Sequence, residues 1–209
     1  MRMSQNASWT LLALCLAGCL GSSTVPADRT PVTGSRTIVP DTASARGPDS
    51  GLPAAWRPTS ANRAWRYVVI HHTATSGGSV ESIHREHLKR TTNGQRWLGI
   101  GYHFVVGNGQ GMADGAIEPT FRWRQQLQGA HAGVDDYNQR GIGVALVGDF
   151  SKTRPTAAQL AAVRQLVTAL RTEFRMPANR IVGHRDIKST ACPGKNFSLS
   201  ALRNQTGSK

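Results

Sequence analysis

Cysteine is scarce in this chain: there are three, with Cys15 and Cys19 inside the first twenty residues and Cys192 alone in the remainder. If an export signal removes the first and lipid caps the second, no intramolecular disulfide can form. Cys192 is then a nucleophile, a metal ligand or filler. Acidic residues are also few, 12 Asp+Glu against 25 Lys+Arg, for a formal net charge of +13. The excess falls mainly beyond residue 61, yet the basic residues are scattered, without a dense run or an RRM, KH or helix-turn-helix pattern. That excludes nucleic acid as the expected partner and suits an anionic polymer or acidic lipid head groups. No internal repeat is visible, and no HExxH occurs, so no metal site is clustered locally on a helix.

Between residues 20 and 62 large apolar side chains are nearly missing, and Ser, Thr, Pro, Ala, Gly and Asp dominate. Such a segment buries too little surface to offset its ordering entropy, and residues 19–62 are read as a flexible tether. Residues 63–209 have the length of one ordinary domain with a core of its own.

The N-terminus holds one apolar run, WTLLALCLAGC, too short for a comfortable permanent membrane span. A weakly basic start, an apolar middle and small residues at its end mark residues 1–18 as an export signal. Leu16-Ala17-Gly18-Cys19 resembles the lipobox of bacterial lipoproteins, which implies a lipidated Cys19 as the first mature residue; a plain signal peptidase site is the alternative. The acyl chains would anchor the protein, since each buried methylene contributes about 0.8 kcal/mol. With Leu20 rather than Asp next, the resemblance places the chain in the bacterial cell envelope, on the outer membrane facing the periplasm.

Within the domain, RYVVIHHTAT (66–75) reads as a buried strand and SVESIHREHLKR (79–90) as a helix N-capped by Ser79, with Val80, Ile83, His87 and Leu88 along one stripe. GIGYHFVV (99–106) reads as a strand running into an Asn108-Gly109 turn. GIGVALVGDF (141–150) has the continuous apolar character of a strand covered on both faces. Thr156 and Gln159 form a capping box ahead of a helix whose Leu160, Val163, Leu166, Val167 and Leu170 share a face. RIVGH (180–184) reads as a last strand and FSLSALRN (197–204) as a last helix. The alternation predicts an α/β fold, a single domain with a central mixed β-sheet flanked by helices.

Histidines gather at the predicted strand ends: His71 and His72, then His103 beside Tyr102, then His184 with Cys192 in the following loop. Imidazoles and a thiolate are preferred zinc donors, and three protein ligands with one open position characterise a catalytic site. Each histidine alone is as readily a hydrogen-bonded structural residue. Alternation turns His72 and His103 to the opposite face, which predicts structural roles. His84 and His87, at i and i+3, are read as a helix face rather than a metal pair. Trp97 and Trp123 are core or groove rim, and Asp149 and Asp186 either orient ligand imidazoles or cap loops.

VVIHHTAT, GIGYHFVV, GAHAG, GIGVALVGDF and VGHRDIKSTACPG, in this order, resemble the zinc N-acetylmuramoyl-L-alanine amidases. That family takes in bacterial cell-wall amidases, phage amidase-type lysozymes and animal peptidoglycan recognition proteins. The resemblance covers residues 65–205. It implies one zinc ion held by His71, His184 and Cys192, catalytic roles for Tyr102 and Thr190, and contact of His131 with substrate. The implied reaction is hydrolysis of the amide between N-acetylmuramic acid and L-alanine, on peptidoglycan or muropeptide fragments, by a monomer. Where certain members carry a glutamate proposed as general base, this chain has Ala145. A non-catalytic peptidoglycan-binding module of the same fold is the alternative, and a thiol hydrolase with Cys192 as nucleophile is a second.

Overall fold

A computed structural model describes residues 51–92 and 94–204. The expected signal segment, Cys19 and the tether as far as residue 50 lie outside the described residues. Elements follow in chain order: β1 Tyr67–His72, α1 Val80–Leu88, β2 Thr91–Thr92, β3 Gln95–Arg96, β4 Phe104–Val106, β5 Ile117–Pro119, α2 Phe121–Arg124, α3 Asp135–Arg140, β6 Gly141–Leu146, α4 Ala157–Phe174, β7 Ile181–Gly183 and α5 Ser200–Arg203. Single 3-10 turns occur at Ala54–Trp56, Ala178–Arg180 and His184–Asp186.

Five strands form a sheet in the order β5-β4-β6-β1-β7. β1 lies parallel between β6 and β7, β4 is parallel to β6, and β5 closes the edge antiparallel to β4. The mixed sheet matches the expected fold. The central strands β1 and β6 are buried on both faces, which is why they read as unbroken apolar runs.

α4 covers one face. Its Val163, Leu166, Val167 and Leu170 are fully buried against Val68, Ile70, Phe104, Val106, Val144 and Leu146. Each such side chain contributes about 1.5–3 kcal/mol. The Thr156–Gln159 capping box forms as the sequence predicts. α1 covers the other face, with Val80 and Ile83 packed on Ile100, Val105 and Val147. Period-two alternation sets Val68 and Ile70 towards α4, so Val69 and His71 point to the α1 side.

Two expectations need correction. Residues 51–62 are not all tether: Leu52 and Trp56 join the α4-side core, and the Trp123 indole N–H donates to the Trp56 carbonyl. The Arg124 guanidinium donates to the carbonyls of Ala55 and Arg57. Two large apolar side chains among small ones suffice to dock the segment, so the packed fold begins before residue 63. The strand expected over 99–106 starts only at Phe104. Gly99 takes φ +99°, and a side chain at Gly101 would strike the Ala130 carbonyl at 2.5 Å. The chain therefore passes Tyr102 and His103 in an irregular conformation.

Candidate metal centre and groove

Parallel pairing of β1 with β7 brings the end of the first strand beside the turn after the last one. His71 closes β1 and is 1 % exposed. His184 opens the 3-10 turn after β7, and Cys192 follows in the next loop. One donor atom from each of His71, His184 and Cys192 lies within 4.8 Å of the others, the one such trio of metal-donor side chains among the described residues.

Hydrogen bonds fix which atoms face inward. The Cys192 sulfur lies 3.7 Å from His71 Nδ1. On the far side of that ring, His71 Nε2 is 3.0 Å from His131 Nδ1. His184 Nε2 is 3.0 Å from the Ala132 carbonyl. Burial first, and neighbouring histidines second, hold the His71 pKa well below its ordinary value. Burial lowers that of His184 too. Neutral imidazoles are the form that donates a lone pair to a metal.

Arg185 holds the cysteine loop. Its backbone N–H donates to the Cys192 carbonyl at 2.8 Å, and its guanidinium donates to the carbonyls of Gly194 and Phe197. Burial pushes the Cys192 thiol up to about 11, while the backbone N–H of His72 pulls it back.

Tyr102 stands beside the trio, its ring 5.1 Å from that of His71 and 5.4 Å from that of His87. Burial, and then the Cys192 charge, raise its pKa to about 12, so its hydroxyl keeps its proton at neutral pH. Thr190 is exposed on the loop, where its Oγ1 accepts from the Cys192 N–H at 3.3 Å and its hydroxyl proton has no acceptor among the described residues. Ala145 pairs with His71 across the β1–β6 ladder, fully buried, and brings no acid or base to the site.

A groove of about 720 Å³ reaches the centre at His184 and Tyr102. Tyr102, His87, Trp97, His131 and His184 line it, with Arg90, Arg96, Arg122 and Lys188 as cations against the single acid Asp135. Arg122 ties two walls together, donating to the carbonyls of Ile100 and Gln128.

Several sequence readings are resolved by this geometry. His131 reaches the groove wall, but both its ring nitrogens are engaged by the protein, Nδ1 with His71 and Nε2 with the Gly141 carbonyl at 3.1 Å. Direct polar contact with substrate is therefore not its main geometry. His72 and His103 accept backbone N–H groups of Phe150 and Gly143 at Nδ1. Asp186 caps the Gly183 N–H and pairs with Arg203, and Asp149 caps Ser151 and pairs with Lys152. Neither aspartate orients His71 or His184; that work falls to His131 and a carbonyl. Trp123 is core, and Trp97 is groove wall. His87, read as a helix face, is buried and lines the groove, with Nδ1 accepting the Gly101 N–H at 3.0 Å. Its place on the Val80–Ile83 stripe was the signal for burial.

A mixed sheet that brings two imidazoles and a thiol together, with His184 and Tyr102 on the wall of a basic groove, fits the peptidoglycan amidase and recognition class. The chain belongs to the N-acetylmuramoyl-L-alanine amidase family, whose model matches residues 61–195. A Sus scrofa protein named N-acetylmuramoyl-L-alanine amidase is 35% identical over 140 residues, covering 61% of this chain but 21% of that protein. The chain thus spans about a fifth of that relative's length. The peptidoglycan-recognition protein SC2 of Drosophila simulans is 31% identical over 136 residues, covering 63% of this chain and 69% of the relative. Among solved structures, the endolysin N-acetylmuramoyl-L-alanine amidase LysCS from Clostridium intestinale superposes with a TM-score of 0.57 at 25% identity. That match covers 70% of this chain and 93% of the endolysin.

Proposed function

We propose that this protein is a zinc-dependent hydrolase of the amide between N-acetylmuramic acid and L-alanine in peptidoglycan or its fragments. The observation that carries the reading is the convergence of His71, His184 and Cys192 within 4.8 Å in a chain of the amidase family. The donor set fits zinc, with two neutral nitrogens, a sulfur and no fourth donor grouped with them among the described residues. Zinc held there would supply Lewis-acid polarisation of the scissile carbonyl and an activated water at neutral pH. Tyr102, which keeps its proton, serves as hydrogen-bond donor to the oxyanion that develops as the carbonyl is attacked, and the free Thr190 hydroxyl is a second donor. With alanine at position 145, no carboxylate acts as base from β6. The cations Arg90, Arg96, Arg122 and Lys188 favour the carboxylates of a stem peptide along the groove.

A binding module that never cleaves is the competing function, since relatives named as recognition proteins share the fold. The complete donor trio with Tyr102 beside it favours hydrolysis. Mass analysis of muropeptides incubated with the protein, with and without a chelator, separates the two. Free stem peptide appearing only without chelator supports the amidase; unchanged muropeptides in both arms overturn it. For the cell we propose a monomer anchored through lipid on Cys19 to the outer membrane, facing the periplasm. Leu16-Ala17-Gly18-Cys19 at the end of an apolar run supports this placement.

A further inference from the structure

We infer that the dipeptide His131-Ala132, clamped by Asn138, is the positioning element that sets the tautomer of both histidine donors, presenting Nδ1 of each inward. The inference deepens the zinc reading and rests on it for its functional meaning, while the tautomers themselves are a property of the protein alone.

Two of the partners are carbonyl oxygens and carry no proton. The Ala132 carbonyl can only accept, so the His184 nitrogen 3.0 Å away, Nε2, holds the hydrogen and Nδ1 keeps the lone pair. The Gly141 carbonyl can only accept, so His131 holds its hydrogen on Nε2, 3.1 Å away. His131 Nδ1 is then an acceptor, and His71 Nε2, at 3.0 Å, must donate to it. That leaves the His71 lone pair on Nδ1, the nitrogen facing the Cys192 sulfur. Two consecutive residues thereby decide the donor atom of two histidines that come from opposite ends of the domain.

The dipeptide is itself held. Asn138 Oδ1, on α3, accepts from the backbone N–H of His131 at 3.1 Å and of Ala132 at 2.8 Å. The His131 ring has a slot cut for it in β6. A side-chain carbon at Gly143 would lie 2.7 Å from the ring's Cγ and 2.9 Å from its Cδ2, so only glycine leaves the imidazole in place. His131 is 7 % exposed and His71 1 %, so the pair is largely shielded from water. Fixing the outward nitrogen of a ligand is worth about 10–100-fold in metal affinity.

The test uses the full chain labelled with nitrogen-15 and freed of metal. Long-range imidazole spectra are expected to show Nε2–H tautomers at His71, His131 and His184; an Nδ1–H form at either His71 or His184 overturns the inference. Zinc affinity, read by competition with a chelating dye, is expected to fall about 10–100-fold in His131→Leu. It stays within a few-fold in His131→Asn, whose amide oxygen reaches the Nδ1 position, and in Asn138→Asp, whose carboxylate still accepts both N–H groups. Equal affinity of His131→Leu and wild type overturns it. Should a variant fail to fold by circular dichroism, the wild-type tautomers still decide. A wild-type chain that takes up no zinc would count against the hydrolase reading alone.

Discussion

The backbone N–H of His72 donates to the sulfur of Cys192 across 3.3 Å, joining residues 120 positions apart. The same sulfur faces His71 Nδ1, so one strand end offers the cysteine a hydrogen-bond donor and a second candidate metal donor from adjacent residues. A backbone donor aimed at sulfur favours the thiolate, which burial alone opposes. Without a metal the thiol stays protonated at neutral pH, which disfavours Cys192 as a nucleophile.

Cys192→Ser should therefore lose metal and activity together. Zinc carried through purification is expected to fall to background by elemental analysis, and muropeptide cleavage with it. Cleavage that persists in the zinc-free variant would contradict the assignment.

Tyr102→Phe removes the hydroxyl and keeps the ring packed between His71 and His87. We expect kcat to fall on the order of 10²-fold with zinc content unchanged, the size typical of losing one oxyanion donor. Steady-state kinetics on a purified muropeptide checks it; an unchanged kcat would remove Tyr102 from the chemistry.

His87 makes stability depend on pH. Burial, then the nearby Arg90 and Arg122 charges, lower its pKa from 6.5 to about 4. The unfolded chain binds a proton in that interval and the folded one does not, so the contribution of His87 is complete above pH 6.5 and is lost as pH falls through about 4. Urea midpoints at pH 7, 5.5 and 4 should decline for wild type and decline less for His87→Gln. His103 and His131 are shifted the same way and keep part of the slope in the variant.

Trp56→Ala tests whether residues 51–62 are part of the fold. Trp56 is 7 % exposed and its carbonyl accepts the Trp123 indole N–H. Truncation should cost about 3 kcal/mol in denaturant unfolding. A cost near zero would return the segment to the tether.

The long apolar runs of β1 and β6 and the periodic face of α4 were legible because their burial pattern repeats over several residues. The donor trio was legible through spaced motifs rather than through local clustering. β5, α2 and α3 were not, since Ile117–Pro119, Phe121–Arg124 and Asp135–Arg140 carry neither an apolar run nor a helical period of apolar residues. The role of His131 was equally hidden. Its motif places it near the groove, but the carbonyl of Gly141 and the slot at Gly143 become its neighbours only when β6 is threaded past it. Trp56 was obscured by the polar composition of the stretch around it.

His71 and Cys192 stand 121 positions apart. On the proposed zinc reading, a nascent chain that has not yet reached Cys192 offers a metal two of the three donors at most. Capture of the ion would then be a late event, a seal on finished folding rather than a guide to it.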